Sequence, residues 1–343
     1  MNLSKTQNSI LKTLEEQIKE VITSSRNKAY QYINNELLLT YWRIGKIIVD
    51  QETANKIDEQ TARSLILDLS KRLTTLHGKG FSRSNLFNMR RFYIFYPDVQ
   101  TLSGHLNWSH YCELLSLEDA DKRSFYEKES INSNWSVREL QRQINSSLFE
   151  RLLLSDGKAN KETVLKLSRH GQILETATDA VKDPYVFEFL GIPEKKPILE
   201  KELEAKLIRH IEDFLLELGK GFMFVGSQQR ITLGNKHNYV DMVFYNKILK
   251  AYVLIDLKTR KLKHTDAGQM NAYLNYYKTE INEPTDNAPI GIILCASKDD
   301  IEAEYALGGL TNQVFASTYV LYLPEKEMLL KQVEEVLRKE SEE

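Results

Sequence analysis

The chain has very little cysteine: two residues in 343, Cys112 and Cys295, far apart. That excludes a disulfide-stapled scaffold and points to a reducing compartment. Long apolar runs are also missing. The longest, Tyr252 to Leu257 and Ile290 to Ala296, have strand length, well short of the roughly 20 residues that cross a bilayer. The N-terminal stretch mixes acids and bases and lacks the apolar centre of a secretory signal. A cytoplasmic protein with no membrane partner is the expectation. No proline precedes Pro97 and glycine is sparse before it, so the N-terminal region reads as helices.

A strong overall charge is missing too, with 46 Lys+Arg against 48 Asp+Glu. The balance is uneven along the chain: 22 basic and 19 acidic residues through position 160, then 24 and 29. Between Arg63 and Arg91 lie Arg63, Lys71, Arg72, Lys79, Arg83, Arg90 and Arg91 against the single acid Asp68. Such a stretch is a footprint for phosphate. What is plentiful is apolar residue, 42% of the chain, enough for real cores. At roughly 100 to 200 residues per domain, the length suggests two domains.

Apolar residues at helical spacing mark Ile10 to Ile22, Tyr30 to Val49 and Ala62 to Leu76. The turn His77-Gly-Lys-Gly80 follows, and Ser82 is placed to cap a helix running toward Pro97. Helix, glycine-bearing turn and capped helix resembles a helix-turn-helix. Helices are again expected at Trp108 to Leu117, Ser124 to Ser130 and Ser136 to Leu154, the last opened by a Ser136/Glu139 capping box. Turn-rich sequence at Ser155 to Glu162 and at Gly191 to Pro197 separates this part from a helix, strand, strand, strand, helix, strand order. The expected division is a helical domain over 10–155, a connecting segment over 156–195 and an α/β domain over 196–330.

Chemistry concentrates in the strands. Asp241 sits among strand formers in Asn238 to Asn246, and Ala251 to Thr259 ends in Asp256 and Lys258. A turn through Asn246 to Lys250 makes the two an antiparallel hairpin and sets Asp241 opposite residue 255, 256 or 257. Alternation puts Asp256 and Lys258 on one face. Two acids converging at about 4 Å repel by about 4 kcal/mol at an effective dielectric near 20, so the cluster calls for a cation. On the helix expected over Ile198 to Leu218, at 100° per residue from Leu203, Glu204 falls near 100°, inside the apolar arc, where an acid needs a partner. Glu200 falls there as well, but in the first turn after Pro197, where the helix dipole accounts for it.

Asp241, the hairpin, Asp256-Leu-Lys258, the upstream Glu204 and the downstream Gln269-xxx-Tyr273 resemble the PD-(D/E)xK nucleases. Segments such as Asn35-ELLLTYWRIGKII, Phe81-SRSNLFNMRRF, Asp183-PYVFEFLG and Ile290-GIILCASKDD resemble the YhcG family within that superfamily, and the likeness runs from about residue 10 to 325. The resemblance implies an α+β chain of two domains: an all-helical N-terminal domain and a C-terminal restriction-endonuclease-like domain with a mixed central sheet. It also implies a metal-dependent nuclease acting on DNA, with Mg²⁺ as cofactor and Mn²⁺ as a substitute. Asp241, Asp256, Glu204 and the Leu257 carbonyl would hold the ion. Lys258 would orient or activate the attacking water, and Gln269 would position Lys258 or a phosphate oxygen. Asp256 stands where many relatives carry Glu. Arg83, Arg90, Arg91, Arg260 and Lys261 are the expected nucleic-acid contacts, and a homo-oligomer is compatible with the pattern. The alternative is a non-catalytic nucleic-acid-binding or protein-interaction module on the same fold.

Other features have plainer readings. His105, His110 and Cys112 match no common zinc spacing. Tyr273, Tyr276 and Tyr277 have the spacing of a helix packed on a sheet. Gly219 and Gly221 form a helix end and turn rather than a nucleotide loop.

Overall fold

The computed structural model describes residues 5–98, 104–155, 161–193, 197–310, 312–323, 325, 327 and 329–334. Residues 156–160 and 194–196, parts of the two expected loops, lie outside them. The chain divides into two compact units, 1–123 and 124–343.

In the first unit, α1 (Lys5–Ala54), α2 (Glu59–His77), α3 (Arg83–Phe95) and α4 (Trp108–Leu114) are all helical. The stretches expected as separate helices at 10–22 and 30–49 are one helix, α1, because residues 23–29 between them, though mostly polar, include no glycine or proline to break it. Ser82 caps α3 as expected, accepting the Asn85 N–H at 3.2 Å, and Asp58, which the sequence reading did not single out, caps α2 by accepting the Thr61 N–H at 2.9 Å. Ile66, Leu86 and Met89 form a small core with Tyr41, Ile44 and Trp108. Gly45 is required there, since a Cβ would stand 1.9 Å from the Met89 carbonyl oxygen, so α1 and α3 touch backbone to backbone.

The second unit contains most of α5 (Ala120–Asn132), then α6 (Val137–Asn145), α7 (Leu148–Ser155) and α8 (Lys161–His170). The Ser136/Glu139 capping box is made in both directions. The helix expected over 136–154 breaks into α6 and α7 at Ser147, whose φ is 53°. Next come β1 (Tyr185–Val186), α9 (Glu200–Arg209), α10 (Ile211–Leu218), β2 (Phe222–Leu233), β3 (Lys236–Asn246), β4 (Ala251–Lys261), α11 (His264–Tyr276), β5 (Ile290–Ser297), α12 (Asp300–Leu307) and β6 (Gln313–Val320). The expected single helix over 198–218 bends at His210, letting α9 lie on β4 while α10 reaches β1 and β2.

The sheet runs β1-β6-β5-β4-β3-β2, antiparallel across β2/β3/β4 and parallel across β4/β5/β6/β1. Period-two alternation builds its two faces. Met242, Phe244, Val253, Ile255, Leu257, Ile292 and Leu294 pack with Leu203, Leu207, Phe214 and Leu218 of α9 and α10. Val243, Leu254, Ile293 and Cys295 pack with Met270, Tyr273 and Leu274 of α11 on the other side. One buried ion pair ties α7 to α10: Arg151 and Glu217, both 0% exposed, meet at 2.5 Å.

Candidate active site

The β3/β4 ladder pairs Met242 with Ile255 and goes no further. One more step of that register brings Asp241 level with Asp256, as the hairpin reading expected. Instead of a ladder bond, the Asp241 carboxylate takes over: its Oδ2 accepts the Leu257 N–H at 2.8 Å. In an extended strand the N–H and C=O of one residue point to the same edge, so the Leu257 carbonyl also faces the β3 side. The β4/β5 ladder is irregular between Lys258 and Lys261, so the cluster sits where regular pairing gives out on both sides of β4.

Asp256 is 4% exposed, and Lys258 Nζ lies 2.6 Å from its Oδ2. That oxygen has no well-aligned hydrogen bond, so the contact is an ion pair with spare acceptor capacity. Burial, with a smaller push from Asp241, raises the Asp256 carboxyl to about 6 against the pull of Lys258. Asp241 is raised by burial as well, and the Leu257 N–H and Lys258 oppose the shift. Burial lowers the Lys258 ammonium, but Asp256 outweighs it and leaves the group above its usual range.

Glu204 is buried on α9, as its place in the apolar arc implied. It reaches Asp241 through an amide. Gln228 Nε2 donates to Glu204 Oε2 at 2.8 Å and to Asp241 Oδ1 at 3.2 Å. Burial raises Glu204, and Gln228 moderates the shift. Gln228 escaped the sequence reading because β2 has an irregularity between Phe224 and Gly226 that shifts its register to β3. Its φ of 49° is rare for a residue with a side chain. Glu200 is the second residue missed. Its Oε1 accepts the Thr259 N–H at 3.3 Å, and its charge acts on both Asp241 and Lys258. Its position in the apolar arc was the available signal, and the helix dipole explained it away.

Gln269 stands further out: it is exposed on α11 and donates to the Tyr273 hydroxyl. Tyr273 is buried, as a helix packed on a sheet requires, and feels the charges of Asp256, Lys258 and Asp241. Arg260 is held by Asp266 through two hydrogen bonds at 2.7 and 2.8 Å, and Lys261 pairs with Glu302 at 2.7 Å. In the first unit, Arg90 grips Glu52 at 2.7 and 2.9 Å and Arg91 meets Glu118 at 2.5 Å. Arg83 lies over the Phe87 ring and has no acidic partner among the described residues. With Arg63, these three arginines line a groove of about 700 Å³ between α2 and α3.

Among the described residues, no three His, Cys, Asp or Glu side chains come together in a way that could enclose an ion by themselves. Two carboxylates, a backbone carbonyl and free acceptor capacity on a buried Asp256 oxygen nevertheless suit a hard cation that keeps several of its waters, as Mg²⁺ does. No helix among the described residues is long and apolar enough to cross a membrane.

The model of the YhcG PDDEXK nuclease domain matches residues 178–335, and that of the DUF1016 N-terminal domain matches residues 17–151. Over 341 residues the chain is 38% identical to the protein named "Putative nuclease YhcG" of Escherichia coli (strain K12), covering 90% of each. A crystal structure of a repair endonuclease from Pyrococcus abyssi aligns at 20% identity and a TM-score of 0.27, over 38% of this chain and 50% of that one.

Proposed function

The chain belongs to the YhcG family of PDDEXK nucleases, and from that premise we propose that it hydrolyses phosphodiester bonds in DNA with a divalent ion, Mg²⁺ or Mn²⁺, at Asp241 and Asp256. The observation that carries this reading is the buried Asp256 carboxylate beside Lys258, level with Asp241 where the hairpin ladder ends. Asp241, Asp256 and the Leu257 carbonyl would hold the ion. When bound, it supplies a Lewis acid that makes a coordinated water a better nucleophile and offsets phosphate charge. Lys258 orients the attacking water and stabilises the charge that builds on the phosphate. Glu204 acts through Gln228 or a water, and Gln269 acts through the Tyr273 hydroxyl at the margin of the cluster. On the first unit, Arg83, Arg90 and Arg91 are the phosphate contacts, with Arg83 the readiest because no acid among the described residues pairs with it.

The test is cleavage of linear, branched and single-stranded DNA, with RNA alongside, with and without saturating Mg²⁺. Wild type should cleave DNA only with the ion. Asp256→Ala should abolish cleavage together with the rise in melting temperature that Mg²⁺ produces by binding the folded state. Lys258→Ala should keep that thermal shift and lose cleavage by about 10² to 10³-fold, the scale of one lost charge-stabilising donor. Equal rates for Lys258→Ala and wild type would reject the assignment. Absence of metal-dependent cleavage on every substrate would favour a non-catalytic module, and cleavage of RNA alone would reassign the substrate.

A further inference from the structure

The first half of α1 leaves its apolar side in water. Every residue from Leu11 to Ile33 is exposed. Leu11, Leu14, Ile18, Val21, Ile22, Tyr32 and Ile33 are each 46% to 68% exposed, an unusual loss for one helix. At 100° per residue these seven fall within an arc of about 120°, which also holds the small residues Ser25 and Ala29 and, at its edge in line with Ile33, Glu15. The stripe is therefore continuous for about 35 Å at 1.5 Å per residue. Beyond it the same helix is anchored, with Leu38 buried and Gly45 against α3.

The stripe is complementary to its own reverse. Place a second copy antiparallel, with the two-fold axis between Val21 and Ile22. Leu11 then lies level with Tyr32, Leu14 with Ala29, Ile18 with Ser25, and Val21 with Ile22. Large side chains meet small ones in the intermediate tiers, and Ile33 lies one step beyond the Leu11/Tyr32 tier. A two-fold axis keeps each flank of the helix on its own side. It therefore sets Arg26 of the other copy, about 60° from Leu11, level with residue 17, between Glu15 at about 40° and Lys19 at about 80°. A parallel pair would instead set Arg26 beside Lys28. Burying seven such side chains from each copy removes roughly 1,400 Å² from water, within the range of specific interfaces. The opposite face carries Glu16 and Glu20 among Lys12 and Lys19, too balanced for a helix drawn to an anionic lipid surface.

We infer that residues 11–33 of α1 pair with the same residues of a second copy as an antiparallel two-helix interface, making the protein a homodimer. The inference is independent of the nuclease chemistry, and it sets two copies of the site in one particle.

Sedimentation velocity on the full chain across a concentration series tests it. Wild type should be a dimer at micromolar concentration. Ile18→Lys with Val21→Lys should raise the dissociation constant on the order of a hundredfold or more, as placing a charge in an apolar contact does. Both positions are solvent-exposed in the single chain, so helix content should be unchanged. Glu15→Arg should weaken the dimer and the added Arg26→Glu should restore it. Orientation is read by oxidation in a Cys112→Ser background: Leu11→Cys chains mixed with Tyr32→Cys chains should cross-link, and Leu11→Cys chains alone should not. A monomer at all concentrations would overturn the inference. So would a dimer indifferent to the two lysines, cross-linking of Leu11→Cys with itself, or a monomer that binds anionic vesicles.

Discussion

The two units set their prominent ion pairs in different surroundings. In the first, Arg63 meets Glu59, Lys71 meets Asp68 and Arg91 meets Glu118 at the surface. In the second, Glu217 is buried among Arg151, Arg142 and the Val186 N–H, Lys182 holds the Glu217 carbonyl, and Lys258 is pressed against buried Asp256. Exposed pairs contribute little because water screens them and long side chains lose freedom to form them. Buried pairs are different: breaking one leaves a charge without water or partner. Similar contact lists therefore imply different consequences, and each charge can be tested for which kind it is.

The largest effect should come from Arg151. Arg151→Met strips Glu217 of its closest cation and should destabilise the second unit by about 3–5 kcal/mol in urea melts, against near zero for Arg63→Met. The same network decides where the folding unit begins. A fragment starting at Ser124 keeps Arg142, Arg151 and Lys182 and should melt cooperatively. One starting near residue 196 leaves Glu217 without all three and should not. Cooperative folding of the shorter fragment would make the sequence-based boundary the correct one. Acid offers a second reading. Arg151, with Lys182 and Arg142, outweighs burial and holds Glu217 at about 2, from an ordinary 4.5. A carboxylate depressed by folding stabilises above its unfolded pKa. That part of the stability should be lost as pH falls from about 4.5 toward about 2, and Arg151→Met should flatten the loss.

Gln228 should have an intermediate effect. It sits at φ 49°, a strained conformation for a side-chain-bearing residue, while its amide joins Glu204 to Asp241. Gln228→Gly suits that backbone, so stability should hold or rise by up to about 1 kcal/mol while Mg²⁺ affinity falls about tenfold. Stability and affinity falling together would make Gln228 structural. Unchanged affinity would separate Glu204 from the metal site.

What the sequence made legible follows from how local each signal is. Caps at Ser82 and Ser136, the strand alternation and the hairpin register that leads from Met242/Ile255 toward Asp241 and Asp256 each depend on a few neighbouring residues, and all three appear in the structure. The break at His210 was hidden because no proline or glycine marks it; it follows from α9 and α10 packing on different strands. Strand β1 has only two residues, too few for a period. Gln228 and the Arg90/Glu52 pair depend on residues brought together from distant positions, where charge counting along the chain says nothing. A basic run looked like a free phosphate patch until folding supplied acids to most of it.

The smallest effects should come from that patch, and they separate its members. Arg83 lies over the Phe87 ring with no acidic partner among the described residues, whereas Arg91 already meets Glu118 and Arg90 is gripped by Glu52. A cation with no acid to leave can meet a phosphate at once; a paired one must first give up its partner, and an exposed pair returns only about 0–1 kcal/mol. Arg83→Glu should therefore flatten the salt dependence of DNA affinity by about 0.9 for the lost contact, while Arg91→Glu should change it less. Both should leave stability within about 0.5 kcal/mol, as surface substitutions do. Equal slopes for Arg91→Glu and Arg83→Glu would mean that Glu118 releases Arg91 to the nucleic acid. A slope unmoved by either would assign the groove between α2 and α3 to some other partner.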